Sequence, residues 1–146
     1  MKYLTWNRHL DLYLIDRISM PFKWGHNDCG LFVNGAIKAM SGMSPGFFLE
    51  GKYDSKVGAL RFLAKFKLKT FEEMIVKLFS ETTMQLLPQG DAVMYGDIVL
   101  ADIDNIDQKA VGATAGVVDR DGLSIFPGKE GLVKIAVTEA KSVWRV

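Results

Sequence analysis

Residues 21–33 read PFKWGHNDCGLFV and divide into a loop followed by the start of a helix. Pro21 and Gly25 are typical of a loop. Asn27 is a residue type that caps helix N-termini, and the apolar residues after it recur at helical spacing. We therefore predict a helix from Asp28 to about Met40 that carries Cys29 in its first turn. Its predicted buried positions are Leu31, Phe32, Ala36, Ile37 and Met40.

Three more helices are predicted in the same half of the chain. The first is capped by Thr5 and runs to about Ser19, with one apolar face made of Leu10, Leu14, Ile15 and Ile18. The third covers about 55–66. The fourth begins at Thr70, where Thr70 and Glu73 match the capping-box pattern.

The second half of the chain has short apolar runs separated by Gly, Asp and Pro, which is typical of strands. The predicted strands are Ile98–Ala101, Ala115–Val118, Leu123–Phe126, Leu132–Val137 and Val143–Val146. Residues 119–122 are predicted to form a tight hairpin connection. Helices followed by strands predict one α+β domain over residues 1–146, in which the cysteine-bearing helix packs on a C-terminal antiparallel sheet.

The composition excludes several function classes. The 146 residues carry a net charge of +1, so no broad electrostatic surface for nucleic acid is predicted. One cysteine excludes an internal disulfide, which suits a reducing cytoplasm or a particle assembled there. The apolar runs are far shorter than a membrane span, and residues 1–12 do not form a signal-peptide core.

The position of Cys29 supports two interpretations. Backbone N–H groups are unpaired in the first turn of a helix and the helix dipole is positive there, so both favour the thiolate. A charged Asp28 that faces the sulfur would have the opposite effect. A lone cysteine in a domain of this kind is otherwise a small buried apolar residue.

The pattern Trp24-Gly25-x-x-Asp28-Cys29-x-x-Phe32 resembles the nucleophile motif of NlpC-type, papain-like cysteine peptidases. In that superfamily the Asp-Cys pair opens a helix that packs on a small antiparallel sheet, so the resemblance implies an NlpC-like fold. The whole chain resembles a phage-associated branch of unknown activity. The shared features besides the cysteine motif are a Gly-Asp pair before a strand, a terminal Trp-Arg-Val and a Gly-x-Tyr, here Gly96-Asp97-Ile98-Val99, Trp144-Arg145-Val146 and Gly51-x-Tyr53.

The resemblance also shows which catalytic residue is missing. In the peptidases the second strand opens with the catalytic histidine, as His-x-Gly followed by two apolar residues. The matching residues here are 114–118, so Thr114 occupies the position of the base. Threonine cannot act as a base at neutral pH. The chain has two histidines: His26 lies three residues before Cys29, and His9 is predicted to lie on the surface of the first helix.

The candidate catalytic residues are therefore Cys29 and His26, and Ser124 is a poor match for the third polar residue of the family. Because the chain lacks the ligand spacing of a zinc site, no metal and no cofactor are predicted. Asp102 and Asp104 are interpreted as part of a solvated turn.

Two surface features have alternative interpretations. The basic residues Arg61, Lys65, Lys67 and Lys69 alternate with Phe62, Phe66 and Leu68, which fits a solvated helix face or a contact for nucleic acid or an acidic partner. The pair Phe47-Phe48 is either a docking loop or a buried loop anchor.

The resemblance implies a structural or assembly protein of a bacteriophage tail, near the tip or baseplate hub, that keeps the peptidase fold without its base. Such a protein would contact other tail proteins, in several copies, and would reside in the virion tail after assembly in the host cytoplasm. The alternative is a working cysteine amidase that cuts peptidoglycan peptides as the phage genome enters the cell, with His26 or a residue of a partner completing Cys29. A third interpretation is a small cytosolic binding domain.

Overall fold

The computed structural model describes residues 1–103 and 113–146. Over these residues the chain forms four α-helices and one 3-10 helix. The helices are α1 (Trp6–Arg17), α2 (Cys29–Ser41), α3 (Lys56–Ala64), α4 (Phe71–Ser80) and the 3-10 helix Phe47–Leu49. The strands are β1 (Gln85–Leu86), β2 (Ile98–Ala101), β3 (Thr114–Val118), β4 (Ser124–Gly128), β5 (Gly131–Ile135) and β6 (Ser142–Arg145).

The strands form one antiparallel sheet in the order β1-β6-β2-β3-β4-β5. Helix α2 packs against β3 and β4, and α1 packs against α2. The predicted α+β class, with helices first and an antiparallel sheet second, is confirmed. The main apolar cluster lies between the helices and the inner face of this sheet, and includes Cys29.

Helix α2 begins one residue later than predicted. Asp28 is the N-cap, because its side chain accepts a hydrogen bond from the Leu31 backbone N–H. The Asn27 amide instead donates to the carbonyl oxygens of Met20 and Pro21 and holds the preceding loop. All five predicted buried positions of the helix are buried.

The predicted apolar face of α1 is wrong at two positions. Ile15 and Ile18 are 65% and 62% exposed, whereas Leu10 is completely buried. The inner face contains Tyr13, whose hydroxyl donates a hydrogen bond to the Phe32 carbonyl oxygen (2.8 Å). Tyr13 can approach α2 because the residue that it contacts on that helix is Gly35. A Cβ atom at Gly35 would lie 2.2 Å from the Tyr13 hydroxyl oxygen. Aromatic packing against α2 therefore sets the rotation of α1.

The predicted bounds of α3 and the predicted capping box of α4 are confirmed in part. Thr70 accepts a hydrogen bond from the Glu73 N–H, as in a capping box, but the Glu73 carboxylate accepts from the Lys69 N–H. Helix α3 ends at Ala64, two residues before the predicted end. Its terminal bonds run from the N–H of Leu68 to the Leu63 oxygen and from the N–H of Lys67 to the Ala64 oxygen.

The strand predictions agree closely with the sheet. Strand β2 has the predicted bounds, and the other four predicted strands shift by one or two residues at their ends. The hairpin at 119–122 is confirmed: the Asp119 N–H donates to the Leu123 oxygen, and Gly122 has a φ of +78°. Strand β1 was not predicted, because two exposed residues give no period-2 signal.

In the described part of the chain, no helix is both long enough and apolar enough to cross a membrane.

Candidate functional site

Asp28 fixes the start of the helix that carries Cys29. The Asp28 side chain is completely buried. Its oxygens accept hydrogen bonds from the backbone N–H groups of Leu31 (3.0 Å) and Gly25 (3.0 Å) and from the Tyr53 hydroxyl (2.8 Å). Burial raises the pKa of Asp28, and these hydrogen bonds oppose the shift. The acidic residue of the Asp-Cys pair is therefore a helix cap that also binds Tyr53.

Gly25 is required by the shape of the loop before this helix. It has a φ of +78°, and a Cβ at this position would lie 1.8 Å from the carbonyl oxygen of Tyr53. The Gly25 carbonyl oxygen accepts a hydrogen bond from the Gly51 N–H (2.8 Å). The Trp-Gly pair and the Gly-x-Tyr segment thus form one junction, although they are more than 25 residues apart in sequence.

The Cys29 sulfur is closed off from solvent. The residue is 1% exposed and lies in the apolar cluster that includes Ala115 and Val117 of β3. Burial and, to a smaller extent, the charge of the Asp28 carboxylate raise the pKa of the Cys29 thiol to about 12. The backbone N–H groups at the helix start lower the pKa of the thiol and Asp28 raises it, both in the predicted directions, but desolvation is the largest effect and raises the pKa.

The structure does not bring an imidazole to the sulfur. His26 is exposed, and its backbone N–H donates to the Lys23 carbonyl oxygen (3.1 Å). Within residues 1–103 and 113–146, the His26 side chain makes no hydrogen bond to Cys29. His9 is exposed on α1, as predicted, and its ring lies edge-on to that of Tyr3.

The residue at the expected base position does lie beside the cysteine helix. Thr114 is 2% exposed, opens β3 and directly precedes Ala115, which lies in the same apolar cluster as Cys29. Ser124 is also buried and opens β4, paired with Val118. The Thr114 hydroxyl supplies no base.

A second buried polar cluster joins the Gly-Asp pair to the terminal Trp-Arg-Val. The Asp97 carboxylate is completely buried and accepts two hydrogen bonds from the Arg145 guanidinium (2.7 and 2.8 Å) and one from the Met94 N–H. Trp144, which pairs with Ile98 across the sheet, is buried. Sequence reasoning did not find this ion pair. The local signal for the ion pair is that Asp97 directly precedes Ile98 and Arg145 directly follows Trp144. Ile98 and Trp144 are the residues that pair across the two strands.

Among the described residues, Cys29 belongs to no group of possible metal ligands and lines neither of the two cavities given below. Among the residues that the structure describes, no group of three or more His, Cys, Asp or Glu side chains could hold a metal ion. Asp104 lies outside the described residues. One cavity of about 920 Å³ lies between residues 86–93 and 137–143, and a groove of about 470 Å³ lies between α1 and the β4–β5 hairpin. Cys29 lines neither of them.

A family model described as "Domain of unknown function (DUF6950)" matches residues 1–146. The chain belongs to the DUF6950 family. No curated protein and no solved structure matches the chain.

The chemistry open to this DUF6950 chain follows from the geometry. A thiol with a pKa of about 12 is almost fully protonated at neutral pH and is therefore a poor nucleophile. Amide cleavage also requires an acid that protonates the leaving amine. Neither exposed histidine is joined to the sulfur within the described residues. The arrangement is suited to fixing α2 against β3 rather than to attack on a substrate.

Proposed function

We propose that the chain is a non-catalytic structural or assembly protein of a bacteriophage tail, built on an NlpC-like fold that has lost its catalytic base. The phage-tail setting rests on the resemblance of the sequence motifs. The absence of catalysis rests on the site itself. In this proposal the cysteine motif has become part of the core.

The observation that carries the proposal is the burial of the Cys29 thiol. Cys29 is 1% exposed, the pKa of its thiol is raised to about 12, and threonine stands at position 114, where the resemblance leads us to expect the catalytic histidine. A nucleophile must reach its substrate, and its thiolate must be populated. Both conditions fail at Cys29, whereas a packing role needs neither.

The arrangement of α2 supports the finer fold assignment. In the NlpC-type peptidases the Asp-Cys pair opens a helix that packs on an antiparallel sheet. Here Asp28 caps α2, and α2 lies against β3 and β4. The Gly25–Gly51 and Asp97–Arg145 contacts also give structural roles to the other motifs on which the resemblance depends.

The proposal is tested by the contents of assembled particles. Mass spectrometry of purified virions should detect the chain at a fixed copy number relative to known tail proteins. Deletion of the chain should yield defective tails, and a Cys29→Ala variant should restore normal ones. Particles that lack the chain, with normal assembly after its deletion, would refute the structural role.

The enzymatic alternative makes the opposite prediction. Purified chain should release no peptide fragments from peptidoglycan, and the wild-type and Cys29→Ala chains should give the same chromatogram. Cleavage that depends on Cys29, and that His26→Ala abolishes, would replace the structural proposal with the amidase.

A further inference from the structure

The fold brings together two aromatic segments that are separated in the sequence. Phe48, from the 3-10 helix, lies 6.3 Å from the ring of Phe66 in the turn after α3, and Phe47 stacks edge-on against Phe48 at 5.9 Å. Phe47 is 73% exposed and Phe66 is 43% exposed. We call these three rings, together with Lys65, Lys67 and Lys69, the aromatic–basic patch.

The charge of this region differs from that of the rest of the chain. Residues 47–69 contain five lysines and one arginine against two acidic residues, a net charge of +4 in a chain whose total is +1. Within the described residues, none of these six basic side chains forms an ion pair. The patch is therefore a positively charged surface around exposed apolar rings, with the Glu73 carboxylate at its edge on the Lys69 backbone N–H (2.7 Å).

The backbone at the centre of the patch is strained. Lys67 has a φ of +60°, a left-handed conformation that a side chain disfavours. The two hydrogen bonds at the end of α3 are those of a Schellman motif, in which this position is usually glycine. A lysine at this position therefore costs stability that a glycine would not, and it adds a positive charge directly after Phe66 in the sequence.

We propose that the aromatic–basic patch docks the protein on an anionic lipid bilayer surface. An exposed phenylalanine at a turn can enter the headgroup boundary while flanking lysines interact with anionic lipids. This inference goes beyond the proposed structural role and stands without it.

The composition of the patch favours lipid over other anionic partners. Protein interfaces are enriched in arginine and depleted in lysine, whereas the three basic residues of the patch are all lysines. Single-stranded nucleic acid is bound along a groove that follows its backbone. The two cavities described above are lined by residues outside the patch.

The test uses the full chain and sedimentation with vesicles. The chain should bind vesicles of phosphatidylcholine with one quarter phosphatidylglycerol, and should bind pure phosphatidylcholine much more weakly. Binding should fall when salt is raised from 0.1 to 0.5 M, because the attraction is screened. The Lys65→Gln/Lys67→Gln double variant should lose binding by roughly 30-fold, from about fivefold per lysine.

Matched variants separate the patch from general effects of charge and folding. Phe47→Ser should lose at least tenfold, whereas Ile15→Ser, which removes an equally exposed apolar residue on α1, should not. Lys129→Gln is the corresponding charge control, since Lys129 is exposed and outside the patch. Lys67→Gly should bind about fivefold more weakly while its thermal stability is unchanged or higher, so a loss of binding in this variant is not a loss of folding.

Failure of the wild-type chain to bind anionic vesicles would overturn the proposal. Binding that Phe47→Ser and the double lysine variant leave unchanged would also overturn it, because another surface would then be responsible. Poly-glutamate and single-stranded DNA are tested in parallel. If either binds through the patch while vesicles do not, the partner is not a lipid surface and the proposal is wrong.

Discussion

The Cys29→Ala variant should lose less stability than the wild-type chain when the pH is raised from 7 to 10.5. The thiol has an ordinary pKa near 9, which burial raises to about 12 in the folded protein. In the unfolded chain the thiol ionises above pH 9, whereas the folded chain keeps it protonated. Because folding raises this pKa, the stabilising contribution is fully present below pH 9 and is lost as the pH rises through 12.

The magnitude follows from the pH window between these two pKa values, about 9 in the unfolded chain and about 12 in the folded chain. Each pH unit between the two pKa values removes about 1.4 kcal/mol from the free energy of unfolding. At pH 10.5, about 1.5 units into the window, the wild-type chain should have lost about 2 kcal/mol through Cys29. At pH 7 the variant should be less stable than the wild type by roughly 1–2 kcal/mol, because removal of the buried sulfur leaves a small void. The two chains should therefore have nearly equal stability at pH 10.5.

The assay is urea unfolding of both chains at pH 7 and pH 10.5 under reducing conditions. Ionising tyrosines also lower stability at high pH, but they are present in both chains and largely cancel in the difference. Iodoacetamide labelling gives a second readout, since the folded chain should react far more slowly than the unfolded chain. A stability difference that is the same at both pH values, together with labelling at the rate of a free thiol, would show that the sulfur is accessible. The non-catalytic proposal would then lose its main support.

Three further substitutions test the contacts that hold the site. Arg145→Met should lower the free energy of unfolding by about 3 kcal/mol, measured by urea unfolding, because it leaves the buried Asp97 carboxylate unpaired; an effect below about 1 kcal/mol would mean that water compensates the charge. Tyr53→Phe should cost about 1.5–3 kcal/mol by removing a hydrogen bond to buried Asp28, and a melting temperature equal to that of the wild type would contradict this role. Lys67→Gly should raise the free energy of unfolding by roughly 0.5–1 kcal/mol, since relief of the left-handed strain exceeds the entropy cost of glycine; a lower melting temperature would show that the lysine is not strained.

The sequence predicted best those features in which local pattern and burial coincide. The apolar spacing of α2 identifies its core positions because the helix is covered on more than one side: Leu31 packs in a cluster with α3 and α4, and the other four predicted positions lie in the main apolar cluster. Strand β2 is recognisable as a short apolar run bounded by polar residues. On α1 the same kind of pattern failed at Ile15 and Ile18, because packing of Tyr13 against α2 sets the rotation of that helix.

Contacts between segments that are far apart in the sequence could not be predicted from local sequence patterns. The Asp97–Arg145 pair depends on the placement of β6 next to β2, and no spacing rule gives that strand order. The same limit applies to Cys29: the helix start and Asp28 have opposite effects on the thiol pKa, and the burial of the residue, which no local pattern shows, makes the net shift upward. The proximity of Phe48 and Phe66 is a third case.

The position of β6 between β1 and β2 has a consequence for biosynthesis. Strand β6 ends 44 residues after β2, yet it supplies one of the two neighbours of that strand. At about 5–20 residues per second, a growing chain carries β2 with an open edge for roughly 2–9 s before its partner is synthesised. During that interval Phe79 lacks its contact with Trp144, and the open edge of β2 can pair with another nascent chain. Chaperone demand and aggregation during expression should therefore depend on translation speed across the last third of the message.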